Sequence, residues 1–162
     1  VLLVMTKEVL TQYCDLQEEI EEVRNKINRI ENEIPKIQKR IDEIEAGELV
    51  RDKVRGGAGG IQNFNIEGVP VKEYEKRKTD LLSKKLLLNN RKSTLELLEF
   101  SLLQKTNEVE EFIASLDDSR MRRIINFRFL ENKSWLQTAY AIGGNATADS
   151  VRMEFDRFFK KM

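Results

Sequence analysis

The stretch VLTQYCDLQEEIEEVRNKINRIENEIPKIQKRIDEI, residues 9–44, decides the architecture. Val9, Tyr13, Leu16, Ile20, Val23, Ile27, Ile30, Ile34, Ile37, Ile41 and Ile44 recur in alternating steps of four and three, with mostly Glu, Lys, Arg, Asn and Gln between them. Such a seven-residue repeat is a coiled-coil seam, because it keeps one narrow apolar stripe turned to a partner helix. Pro35 interrupts the run, removes a backbone donor and predicts a bend costing about 3 kcal/mol or more. The seam resumes at Ile37, so the helix is expected to continue until Ala46-Gly47.

A second long helix opens at Pro70-Val71. Tyr74, Leu81, Leu88, Leu95, Leu102, Val109 and Leu116 recur every seven residues, and Leu82, Leu87, Leu98, Phe112 and Ile113 broaden the stripe. Residues 6–46 and 72–115 are nearly equal in length, which predicts an antiparallel hairpin of about 60–65 Å. Folded so, the basic positions Arg77, Lys78, Lys84, Lys85, Arg91 and Lys92 lie beside Glu31, Glu33, Asp42, Glu43 and Glu45. A charge-matched flank is the main expectation, and a second nucleic-acid surface the alternative. Isoleucine at both seam positions leans away from a simple two-stranded coil. Two hairpins are therefore expected to pair between chains as a four-helix bundle.

Between the helices the composition changes to GELVRDKVRGGAGGIQNFNIEGVP, residues 47–70. A phosphate-binding P-loop needs Lys and then Ser/Thr after its last glycine. Ile61 and Gln62 stand there, so GGAGG is read as a plain turn or mobile loop. Ile61, Phe64 and Ile66 alternate, which predicts a short extended piece lying over the helix tip.

The 162 residues hold 28 Lys/Arg and 28 Asp/Glu, but the zero balance is uneven along the chain. Residues 6–46 carry 7 cations and 11 anions, net −4, and residues 119–162 carry 9 and 4, net +5. A basic end is the electrostatic footprint expected of a protein that meets phosphates. The absence of histidine removes the commonest general base, the Ser/His triads and the usual zinc fingers. No enzyme activity, cofactor or metal is expected. The single cysteine, Cys14, excludes an internal disulfide, fits a reducing compartment, and is expected to be a free surface thiol. No apolar run approaches a membrane span. VLLVM is too short and lacks the basic flank of a signal peptide, and residues 1–4 are expected to precede a natural start at Met5.

The third part begins at Leu116-Asp117-Asp118-Ser119. An Asp here is expected to cap the helix RMRRIINFRFLEN rather than to serve acid/base or metal chemistry, since no third ligand accompanies the pair. Arg122 and Arg123 are expected to face outward. Ser134 is a good N-cap for a helix burying Trp135, Ala139 and Ile142, and Gly143-Gly144 turns the chain. Trp135 is expected in the core, with base stacking as the rarer use. Thr147 then caps a last helix, with Asp149 in its first turn and with Val151, Phe155, Phe158 and Met162 packing inward. A short amphipathic helix, a glycine turn and a second helix with cations outside is the pattern of a helix-turn-helix. Ser150, Arg152 and Met153, with Arg157 further along, are expected at base edges, and Thr147 at the head of the same surface. Lys160, Lys161, Arg122, Arg123 and Lys133 suit phosphate contacts. The plainer reading is a charged, solvated face, which Asp149, Glu154 and Asp156 support.

The block LDDSRMRRIINFRFLENKSWLQTAYAIGGNATADSVRMEFDRFFKK resembles region four of bacterial sigma factors, through Phe127-Arg128-Phe129, Lys133-Ser134-Trp135, Ile142-Gly143 and Ser150-Val151-Arg152. The whole chain is similar to small phage and prophage proteins with a coiled first part, a glycine-rich middle and a sigma-like end. Autolysin-regulatory and late-gene activator types among them are transcription regulators. The resemblance implies a DNA-reading helix at about 148–161, a bacterial host cytoplasm, and contact with host RNA polymerase. GGNATA is longer than the usual sigma turn, and no counterpart of sigma region two is present, so a full sigma factor is not implied.

The expectation is an all-α chain: a hairpin over 1–116, then a helix-turn-helix over 117–162. It would act as a phage-type regulator on double-stranded DNA, dimeric through the hairpin and away from membranes. The rival is a structural or interaction coiled coil, or a DNA-packaging recognition subunit.

Overall fold

A computed structural model describes residues 5–47, 50–56 and 62–162, the side chains of 50–56 and 62–67 excepted. The glycine-rich turn at 57–61, Ile61 included, and the question of residues 1–4 lie outside the described residues, as do the apolar side chains of Phe64 and Ile66. The elements are α1 (Lys7–Glu45), β1 (Val50–Gly56), β2 (Gln62–Gly68), α2 (Val71–Ser115), α3 (Ser119–Ile125), a π-helical turn (Asn126–Leu130), α4 (Trp135–Ile142) and α5 (Ala148–Lys161). The all-α expectation holds: a long helical hairpin and a small helical unit make up the fold. The connection between the long helices adds an antiparallel β-ribbon, whose β2 contains the extended piece expected at 62–66. Helix α1 runs unbroken through Pro35. It stops where Gly47 takes a positive φ of 94°.

The chain forms two compact units, Val23–Thr94 and Val1–Glu22 with Leu95–Met162. The boundary expected between residues 116 and 117 lies inside the latter.

In the Val23–Thr94 unit, Val23, Ile27, Ile30, Ile41 and Ile44 of α1 are buried, as the seam requires. Cross-helix pairs run antiparallel: Lys92 with Glu31 at 2.7 Å, Lys84 with Glu33, Arg40 with Glu73 at 2.9 Å, and the Tyr74 hydroxyl with Glu45 at 2.7 Å. The charge-matched flank is thus formed. Two residues expected in the stripe stand outside it: Leu82 is 62% and Leu87 40% exposed. A hairpin offers α2 one neighbour, and positions beside the seam stay in solvent.

The hydrogen bond from Lys84 holds the Glu33 carboxyl below its ordinary range, and the Arg40 guanidinium does the same for Glu73. A carboxylate with a lowered folded pKa stabilises above its unfolded pKa and loses that contribution as pH falls through the folded value. Thermal midpoints are therefore expected to drop on acidification below about pH 4.5. Glu33→Gln should flatten part of that dependence. An identical acid profile for the variant would refute the assignment.

The other unit is built around one core. Leu10, Tyr13 and Cys14 of α1, Val109 of α2, Met121, Ile124, Ile125 and Phe129, Ala139, and Val151 and Phe155 of α5 cluster together. Cys14 is buried there at 8% exposure, not on the surface as expected. It sits beside the seam, on the side that the three short helices cover. Burial pushes its thiol pKa up, which keeps it protonated and unreactive.

Candidate nucleic-acid interface

Local chemistry sets each short helix. The Asp118 carboxylate accepts from the backbone N–H of Arg120 at 2.9 Å and of Met121 at 3.1 Å, starting α3. After Ile125 the coil widens into the π turn, where Glu131 N–H donates to the Asn126 carbonyl at 3.0 Å. Asn132, at φ 48°, then reverses the chain. Ser134 and Gln137 cap α4 reciprocally, side chain to backbone both ways, at 3.2 and 2.9 Å. Gly143 and Gly144 take positive φ of 81° and 68°. A side chain is strained in that conformation, so the turn between α4 and α5 depends on glycine. Thr147 and Ser150 then form a second reciprocal cap, at 3.1 and 2.9 Å.

Aromatic packing fixes how α5 sits. Phe155 lies 5.3 Å from Phe129, 5.3 Å from Trp135 and 4.8 Å from Phe159, ring centre to ring centre. Phe159 in turn lies 6.0 Å from Phe112 of α2. Trp135 therefore belongs to the core, as expected. Phe159 was not foreseen, because it stands about 80° off the Val151 stripe at 100° per residue; Phe112 reaches it from the side. Met162, expected inside, is 67% exposed at the end of the helix. Thr138 is fully buried, and its hydroxyl finds no hydrogen-bond partner among the described residues.

The outer side of α5 carries Arg152, Met153, Arg157, Lys160 and Lys161, all exposed. The four cations have no ion-pair partner among the described residues. Two of the anions that weighed against DNA are held from within the fold. Asp156 pairs with Lys7 of α1 at 2.5 Å, and Glu154 takes the Arg120 guanidinium at 2.9 and 3.0 Å. Neither pair was visible in the sequence; Lys7 and Asp156 are 149 positions apart.

The remaining candidates are already engaged. The hydroxyls of Thr147 and Ser150 close the α5 cap. Arg122, expected to face out, is half-buried and donates to the Leu116 carbonyl. Arg123 is exposed but donates to the Ala141 carbonyl at 3.1 Å and stands over the Phe127 ring. Lys133 pairs with Glu131 at 2.6 Å and covers the same ring. Arg122 and Arg123 thereby satisfy open carbonyls near the ends of α2 and α4, where cations are favoured.

Among the described residues no group of three or more His, Cys, Asp or Glu is placed to hold a metal ion. No described helix is long and apolar enough to cross a membrane. No protein-family model, curated protein or solved structure matches this chain.

Proposed function

We propose that this chain is a phage-type DNA-binding transcription regulator that reads duplex DNA with α5. The observation that carries the reading is the charge arrangement on α5. Its Glu154 and Asp156 are neutralised by Arg120 and Lys7, while Arg152, Arg157, Lys160 and Lys161 are left uncompensated. A helix bearing free cations and an exposed Met153, held by a core that the short helices share with α1 and α2, has the chemistry for phosphate, guanine-edge and thymine-methyl contact.

Arg152→Ala is expected to cost about 1–3 kcal/mol and to relax preference at a single base position. Binding to a panel of single-base site variants measures it; unchanged duplex binding would show that the reading helix is misplaced. Titration onto fragments of the source genome at several salt concentrations tests the whole reading. Sites beside a late promoter support regulation, and sites at a packaging origin support a packaging recognition subunit instead.

Pairing of two copies through the hairpin suits two half-sites. Leu97, Phe100 and Leu103 of α2 are 73%, 62% and 59% exposed, and a second copy would cover them. A monomeric mass in sedimentation at micromolar concentration would defeat that part. One observation favours a protein partner as well. Leu136 and Tyr140 of α4, 71% and 91% exposed, line a shallow hollow of about 560 Å³ with Lys133, Gln137 and Ala141. Contact with host RNA polymerase, or the interaction role of a coiled-coil protein, would use such a patch.

A further inference from the structure

The β-ribbon sorts its positions by chemistry. Its register pairs Arg51 with Glu67, Lys53 with Asn65 and Arg55 with Asn63. In alternation with these, Val50 pairs with Gly68, Asp52 with Ile66, Val54 with Phe64 and Gly56 with Gln62. Successive strand positions belong to opposite faces, and directly opposed positions share one. One face therefore holds the positions of Arg51, Lys53, Arg55, Asn63, Asn65 and Glu67. The other holds those of Val50, Val54, Phe64 and Ile66, with Asp52 and Gln62.

We propose that the face carrying Arg51, Lys53 and Arg55 is a second duplex-DNA contact, with the ribbon entering the major groove. That groove, about 12 Å wide, admits a two-stranded ribbon as well as a helix. Arg51 to Arg55 spans four residues at about 3.4 Å each, or about 13–14 Å. Three cations at two-residue spacing thus cross one groove width. Their cross-strand neighbours decide the class of partner. Asn63 and Asn65 stand opposite Arg55 and Lys53. Arginine matches the guanine edge and asparagine the adenine edge, so the set reads bases besides meeting phosphates. An acidic protein or an anionic lipid surface would use the cations and leave the amides without a purpose. The proposal is independent of the α5 reading, because it stands on a different part of the chain.

The test uses the full chain, fluorescein-labelled duplexes and a salt series. R51A/K53A/R55A is expected to bind about tenfold or more weakly and to lower the slope of log K against log salt by about 1–3, at roughly 0.9 per lost phosphate contact. E67Q removes the one anion from that face. It is expected to tighten binding about two- to fivefold, and more than D52N on the opposite face, a gain that misfolding cannot imitate. A triple variant with wild-type affinity and slope overturns the proposal. So does a triple variant that weakens binding while E67Q brings no gain, since the loss then belongs to the fold. Loss of binding to polyglutamate or to phosphatidylserine vesicles, with duplex binding intact, assigns the face to an acidic protein or a membrane and equally overturns it. The control R157E/K160E separates the readings. If it alone loses duplex binding, the ribbon contact fails and α5 stands; if only the ribbon variants lose binding, α5 fails and the ribbon stands.

Discussion

Leu10→Ala is expected to destabilise the helix-turn-helix by about 2–5 kcal/mol, although Leu10 belongs to the first turns of α1. The side chain is fully buried in the cluster that also holds Val151 and Phe155 of α5 and Ile124 and Ile125 of α3. Truncation removes its transfer energy and leaves a cavity that the short helices cannot close without losing their own contacts. For a domain stable by about 5–15 kcal/mol the loss is a large fraction. The protein supplies its own probe. Trp135 is the single tryptophan and packs against the same core. Its fluorescence midpoint in urea should fall by about 1 M or more, given slopes of about 1–3 kcal/mol per molar. Leu82→Ala, at a site 62% exposed, should leave it nearly unchanged. A Trp135 midpoint indifferent to residue 10 would mean that the helix-turn-helix folds without the hairpin's open end.

That prediction follows from what the sequence conveyed least. The seam was legible because a coiled coil writes its partner into a strict repeat, and Ile20, Val23, Ile27, Ile30, Ile41 and Ile44 are all buried. The caps were legible for a similar reason. Asp118, Ser134 and Thr147 each bond a backbone N–H two or three residues on, so spacing alone reveals them. Leu10 and Cys14 were not legible. They lie beside the seam, where a plain hairpin would leave them wet, and only the packing of α3 to α5 buries them. The ribbon hid for a different reason: Val50 and Val54 are the only apolar residues of β1, and its alternation becomes meaningful only once β2 sets the register. The cations of the third part were legible by type but not by state. Arg122, Arg123 and Lys133 count as positive charge in a composition, yet each is engaged within the fold. Conversely, Glu154 and Asp156 count as uncompensated negative charge on α5 until Arg120 and Lys7 are seen against them.

The largest effect on binding is expected from reversing charge on α5. Arg157 and Lys160 are exposed, lie one turn apart and have no ion-pair partner among the described residues. R157E/K160E exchanges two phosphate-attracting groups for two that repel phosphate. Duplex affinity should fall more than about a hundredfold at 50 mM salt, and the salt slope should shrink by about 2 or more. Both side chains lie outside the core, so the Trp135 urea midpoint should move by no more than about 0.5 kcal/mol equivalent. A subtler variant separates this account from mere positive charge. Lys7 is on α1, about half exposed, and pairs with Asp156. As a surface ion pair it contributes only about 0–1 kcal/mol to stability. Lys7→Gln would nevertheless release Asp156 as an uncompensated anion on α5. Affinity should then drop about three- to tenfold while the fold persists. Lys7→Gln in an Asp156→Asn background should have almost no further effect, because the anion that Lys7 masks is gone. Equal losses in both backgrounds would mean that Lys7 acts through its own charge, and the neutralised anions of α5 would no longer support a DNA-reading face.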